Sequence, residues 1–243
     1  LERQLGYWRR QLEEVAVLDI PTDRPRPAVQ TFNGAFYPIE LTEELTEKIK
    51  HYCNGKRVSL YMGLLAVFNL LMNRYTGLDD FCVGSPIANR TLRELEGLIG
   101  FFVNTLAYRA DLAGDPSFDE LVERVKETTL GAYAHQDLPF ERLVDELNID
   151  RDMSRSPLFQ VMFIVQNVPI NPGMSVPGLQ LKPLGGEHVT SKFDLTMEFI
   201  SESPRLLGRI EYNTDLFNEA TIAGIADHFV NLLDGCLAST MAP

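Results

Sequence analysis

Apolar positions recur along the chain with two periods. LERQLGYWRRQLEE places Leu5, Trp8 and Leu12 at helical spacing. After Thr42, a residue able to cap, Leu45, Ile49 and Tyr52 continue a second helical stripe. SLYMGLLAVFNLLMNRY, residues 59–75, is apolar almost all round, the mark of a helix buried on most sides. Ser117 and Glu120 form a capping-box pair, and the face that follows is Phe118, Leu121, Val122, Val125 and Ala132. A last helix begins near Asn218, with Ile222, Ile225, Phe229, Leu232, Leu233 and Cys236 on one stripe.

Between these stretches lie β-forming runs: AFYPIEL, DFCVGSPI (80–87), FFVNTLAYRADL (101–112) and LFQVMFIVQNV (158–168). MSVPGLQLKPL predicts a turn and a short strand, and KFDLTMEFI with LLGRIEYN predicts a β-hairpin across SESPR. ANRTLRELEGLIG predicts a loop. Strands and helices mix without strict alternation, so the expected fold class is α/β, a mixed β-sheet flanked by helices. There is no internal repeat and no low-complexity segment.

PTDRPRP, residues 21–27, has three prolines in seven residues and predicts a stiff extended linker. This divides the chain into an opening helix and linker, 1–30, and a main body, 31–243. The opening helix has neither an initiator Met nor a cap, which predicts a preceding segment.

Composition narrows the choices. The 243 residues carry a net charge of −12 and a sequence pI of about 4.8. Such a surface repels phosphate backbones, so nucleic acid is not an expected partner. Cys53, Cys82 and Cys236 are scattered without a C-x-x-C pair, which suits a reducing compartment. The most apolar run, Leu60 to Met72, is too short to span a bilayer. A cytoplasmic protein without a membrane partner is the expectation.

Candidate chemistry is thin. His51, His135, His188 and His228 have no metal-ligand spacing with one another or with the cysteines, and no phosphate-loop or nucleophile-elbow motif occurs. Asp79 and Asp80 are adjacent, so on a strand they point to opposite faces. In AHQDLPFERLVDEL, His135 lies two residues before Asp137 and six before Glu141, as a general base with an orienting carboxylate could. The structural reading is stronger. Asp137 and Pro139 make a helix start, with Asp137 able to accept from a free amide of the first turn. Phe140, Leu143, Val144 and Leu147 then form one apolar face. In RDMSRSPLFQ, Arg151, Ser154, Arg155 and Ser156 could clamp a phosphate but read better as a polar turn ended by Pro157. Lys192-Phe193-Asp194, at a strand entrance, reads as a solvated charge pair. Arg90, in a loop after a buried strand, is suited to hold a carboxylate through two bonds, though a surface arginine is the default.

Three stretches together resemble the condensation domains of nonribosomal peptide synthetases. IGFFVNTLAYR (99–109), AHQDLPFERLVDEL (134–147) and RDMSRSPLFQVMF (151–163) are similar, in order and spacing, to that family's fifth, sixth and seventh core motifs. YWRRQLEE…PTDRPRP resembles the segment joining the family's two halves, and KFDLTMEF and EYNTDLF resemble its late strands. The resemblance covers essentially the whole chain. It implies a chloramphenicol-acetyltransferase-like half-domain, the C-terminal of two halves. The complete domain would form an amide between aminoacyl or peptidyl thioesters carried on the 4'-phosphopantetheine arms of donor and acceptor carrier proteins. The family's H-H-x-x-x-D-G motif is absent, since no two histidines are adjacent. The resemblance therefore implies no catalytic residue, no bound metal and no cofactor held by this chain, and no activity alone.

The same resemblance makes Arg90 and Asn104 candidates for a tunnel wall, with Arg90 placed to pair with the aspartate of the missing motif. His135, Asp137, Pro139, Phe140, Arg151, Ser154 and Pro157 are implied as structural motif residues. Lys192, Phe193 and Asp194 are implied at the start of a latch that crosses to the other half. Its Pro-Phe-Glu resembles ordinary condensation domains, accepting an L-configured donor, rather than epimerisation or cyclisation domains. The implied partners are the N-terminal half, the two carrier proteins and an adjoining adenylation domain. Two alternatives stay open: a carrier-docking module without chemistry, and a small acyltransferase with His135 as its base. Self-association of the isolated chain through an unpaired strand edge near KFDLTMEF is a further expectation.

Overall fold

The computed structural model describes residues 1–147, 152–166, 190–202 and 204–241. Arg151, His188 and the turn and strand expected over 174–184 lie outside the described residues. The opening stripe forms α1, Glu2–Gln11, which buries Leu5 and Trp8. β1, Gly34–Leu41, runs into α2, Glu43–Lys56, and Thr42 caps α2 by accepting from the Leu45 amide. α3, Leu60–Thr76, begins under a Ser59 cap and buries residues on every side, as its apolar run demands.

β2, Asp80–Ile87, is followed by a loop with one short 3-10 turn and then by β3, Asn104–Asp111. This strand starts three residues later than the apolar run, and Phe101 and Val103 stay largely outside it in solvent. α4, Phe118–Tyr133, carries both arms of its capping box and buries the expected face, with Thr129 completing it. α5, Phe140–Glu146, is short. β4, Val161–Gln166, β5, Leu195–Glu202, and β6, Arg205–Asn213, complete the sheet, and α6, Glu219–Met241, ends the described chain.

The six strands form one mixed sheet in the order β1-β6-β5-β4-β2-β3. β5 and β6 make the expected hairpin, closing at Glu202 opposite Arg205. β4 lies parallel to β5 and to β2, the second pairing made at Gly84 opposite Met162. β1 returns to pair with β6, Gly34 facing Asn213. Leu195, Met197 and Phe199 alternate along β5 into the core, as do Leu206, Ile210 and Tyr212 along β6. Phe199 meets Phe229 of α6, and Phe163 of β4 meets Phe68 of α3. β5 is thus an interior strand with neighbours on both sides. Among the described residues the strand edge expected to drive association near KFDLTMEF is therefore not found, and the sheet ends at β1 and β3.

The proline-rich segment is not extended throughout: it bends at Asp23 and Arg24, where it is bound to the body. Asp23 accepts from the Asn218 amide (2.7 Å) and the Thr221 hydroxyl (2.9 Å) at the start of α6. Arg24 donates to the carbonyls of Thr214 (2.9 Å) and Phe217 (3.1 Å).

Candidate functional site

The candidate residues fall into three places. The first surrounds the start of α5. The chain leaves α4 through His135, whose Nδ1–H donates to the Gly131 carbonyl at 2.9 Å. That bond fixes the proton on Nδ1 in the neutral ring. The imidazole lies flat on the Tyr7 ring of α1, centroids 4.1 Å apart and 3° from parallel. The His135 carbonyl accepts from Trp8 Nε1 at 2.9 Å.

Asp137 does not cap α5. It accepts from Gln4 Nε2 of α1 at 2.8 Å, and Pro139 occupies the cap position without a side-chain bond. The cap comes from Asn104, buried at the start of β3. Its Oδ1 accepts from the Phe140 amide (3.1 Å), and its Nδ2 donates to the carbonyls of Gln136 and Leu138 (2.9 Å each). A residue from a distant strand does what the local pattern assigns to an aspartate, because the turn folds back over the end of β3.

The second place joins the 151–163 motif to Lys192-Phe193-Asp194. Asp194 is not solvated. It is 3% exposed, and its carboxylate takes two bonds from Arg26, at 2.9 and 2.5 Å. The pairing raises the affinity of the Arg26 guanidinium for its proton, the hydrogen bond outweighing desolvation. Lys192 remains exposed. Ser154 donates to Asp152 at 2.7 Å, and Arg155 approaches Asp19 (3.5 Å) and Asp152 (3.0 Å), the latter too obliquely for a hydrogen bond from Nε. The arginine is thereby matched by carboxylates within this chain, which leaves little for a phosphate.

Pro157 begins a tight turn. The Phe159 amide donates to the Pro157 carbonyl at 2.9 Å while Leu158 sits at φ 68°, the pattern of a strained three-residue turn. It places the Phe159 ring directly over Gly84, where an added Cβ would collide with the ring. Phe159 also packs against Phe140 (5.3 Å) and Phe193 (5.5 Å). One aromatic line therefore ties the 134–147 and 151–163 stretches and Phe193 to β2. Gly84, Phe159 and Arg26 are missed by sequence reasoning. A glycine inside a buried strand, which often marks close approach, is the available signal for the first two.

The third place is the loop after β2. Arg90 donates to the Leu95 carbonyl and stacks over Phe102, 4.3 Å from the ring centre. The structure places Arg90 against its own loop and does not bring it to His135 or Asp194. Beyond it Ile99 and Phe101 are 104% and 92% exposed.

Alongside α1, α5 and residues 152–160 runs a groove of about 1410 Å³, with Leu12, Val15, Phe32 and Val144 among its lining residues. No nucleophile is poised among the described residues of these places. Burial pushes the Cys82 thiol up to about 12 and the Cys53 thiol up to about 11. Among the described residues no group of three His, Cys, Asp or Glu could hold a metal ion, and no helix is long and apolar enough to cross a membrane. What the arrangement does is hold segments together: it fixes α1, the α4–α5 turn, the 152–160 turn and β5 to one sheet.

Known proteins are similar to this chain in sequence and in fold. The family model described as the condensation domain matches residues 1–243. A linear gramicidin synthase of Brevibacillus parabrevis is 47% identical over 246 residues, covering 100% of this chain and 3% of that protein. A plipastatin synthase of Bacillus subtilis is 39% identical, over 98% of this chain and 7% of that protein. The chain thus spans a small part of the curated relatives it matches. Among solved structures, a four-domain nonribosomal peptide synthetase bound to AMP and glycine superposes with a TM-score of 0.87 at 25% identity, over 98% of this chain and 19% of that one. The X-domain from teicoplanin biosynthesis also gives 0.87 at 25% identity, with 98% of this chain covering 54% of that one. With a mixed α/β fold in common and a match along its whole length, this chain belongs to the condensation-domain family of nonribosomal peptide synthetases.

Proposed function

We propose that this chain is the C-terminal part of a domain that forms an amide between two carrier-bound substrates, and that it supplies one wall of the site but not the group that handles the proton. The carrying observation is the absence of the paired-histidine motif: no H-H-x-x-x-D-G occurs. His135, the one histidine inside a family motif, gives Nδ1 to the Gly131 carbonyl and one ring face to Tyr7; Nε2 remains its basic nitrogen, so His135→Ala is the variant that separates the two readings. The reacting thioester and amine would arrive on the phosphopantetheine arms of two carrier proteins, with an adenylation domain adjoining. Arg90 and Asn104 would line or support the wall, and the open groove beside α5 leaves room for a neighbouring domain or carrier.

The test is a condensation assay with loaded donor and acceptor carriers. The chain alone should form no amide, and adding a polypeptide that carries the paired-histidine half should restore product. Turnover by the chain alone, abolished by His135→Ala, would overturn this reading in favour of a self-contained acyltransferase. Carrier binding without restored turnover would favour a docking module.

A further inference from the structure

The contacts of α1 are unusual in kind. Leu5, Trp8 and Leu12 bury its apolar side, which by itself would let a ten-residue helix slide or turn in place. Directed bonds remove that freedom at both ends. Near its start, Gln4 donates to Asp137. At its middle, Tyr7 stacks on the His135 ring and Trp8 donates to the His135 carbonyl. Farther on, Arg9 pairs with Glu146 of α5 at 3.1 Å. Past its end, Arg109 of β3 donates to the carbonyls of Gln11 and Glu13 (3.1 Å each) while forking onto Asp80 of β2 (2.6 and 2.5 Å). The Tyr7 hydroxyl covers Gly131, where an added Cβ would lie 2.7 Å away.

We propose that the 131–146 segment is a socket for α1, and that His135 is a positioning residue that sets the angle at which α1 projects from the sheet. This deepens the reading given above and rests on it: α1 is then the strut through which the preceding half is held against this wall. A composite site loses rate when its parts are misplaced by about 1 Å, even when each part is intact. The His135 ring is the central contact, because its face lies flat on Tyr7 of α1. Its backbone carbonyl holds Trp8 whatever the side chain, so the stack and the backbone bond can be separated by substitution.

Two measurements test this. On the chain as it stands, hydrogen exchange of the α1 amides should quicken at least tenfold in His135→Ala and stay near the parent rate in His135→Phe, which keeps a flat ring over Tyr7. In the complete domain, His135→Ala should lower kcat for amide formation at least fivefold with the carrier KM unchanged, and His135→Phe should restore most of it. Unchanged α1 exchange in His135→Ala overturns the socket. Loosened α1 with unchanged kcat overturns the positioning role, and a loss that His135→Phe does not rescue overturns the stack as its means. A parent domain that forms no amide sinks the functional reading instead, and the exchange measurement then decides the socket alone.

Discussion

At the scale of single residues, the firmest device is the pair Arg26–Asp194. The carboxylate is buried, and its charge is tolerable only because a guanidinium meets both oxygens. Removing one partner leaves an uncompensated buried charge, which costs about 3–5 kcal/mol. Arg26→Leu should therefore lower the free energy of urea unfolding by about that amount, while Arg26→Leu with Asp194→Leu should recover much of the loss. A single-variant loss under about 1 kcal/mol would mean that the pair is solvated in solution. The residues around this aspartate explain why its fate was not legible: Lys192 and Asp194 look like a surface pair until the linker brings Arg26 across.

At the scale of elements, caps and close contacts decide. Asp23, from the linker, satisfies free donors at the start of α6, and the bonds from Asn218 and Thr221 hold its carboxyl below the ordinary range. A depressed folded-state value means stability that is present above the unfolded value of about 4 and is lost as pH falls through the lower folded value. Asp23→Asn should accordingly flatten the acid limb of a stability–pH curve below about pH 4, read by thermal melts. Between β2 and the 157–159 turn the limit is space. Gly84→Ala should destabilise the fold by about 2 kcal/mol or more through the Phe159 ring. Combined with Phe159→Leu, it should cost at least about 0.5 kcal/mol less than the sum of the single changes.

These elements also show what the chain discloses by itself. The Ser117–Glu120 box, the all-apolar α3 and the β5–β6 hairpin were legible because each is decided by neighbours in sequence. The Asn104 cap, the socket for α1 and the parallel β2–β4 pairing were not, since their partners come from distant segments. Family motifs marked the right stretches, whereas local pattern assigned Asp137 a cap that it does not make.

At the scale of the whole molecule, exposed apolar surface is gathered on the loop before β3, where Ile99 and Phe101 stand almost free of the body. Such patches associate. We expect concentration-dependent oligomers by sedimentation, reduced when Ile99 and Phe101 are both replaced by Lys, with thermal stability unchanged. A monomer at every concentration would remove the expectation. The pairing of β1 with β6 has a different reach, into the making of the protein. Gly34 finds its register opposite Asn213, so β1 stays without that partner until β6, far along the chain, has been made. Folding dominated by such distant closures is slow. The nascent chain meanwhile carries the apolar α3 without its full cover, a surface that a chaperone can bind until the sheet closes.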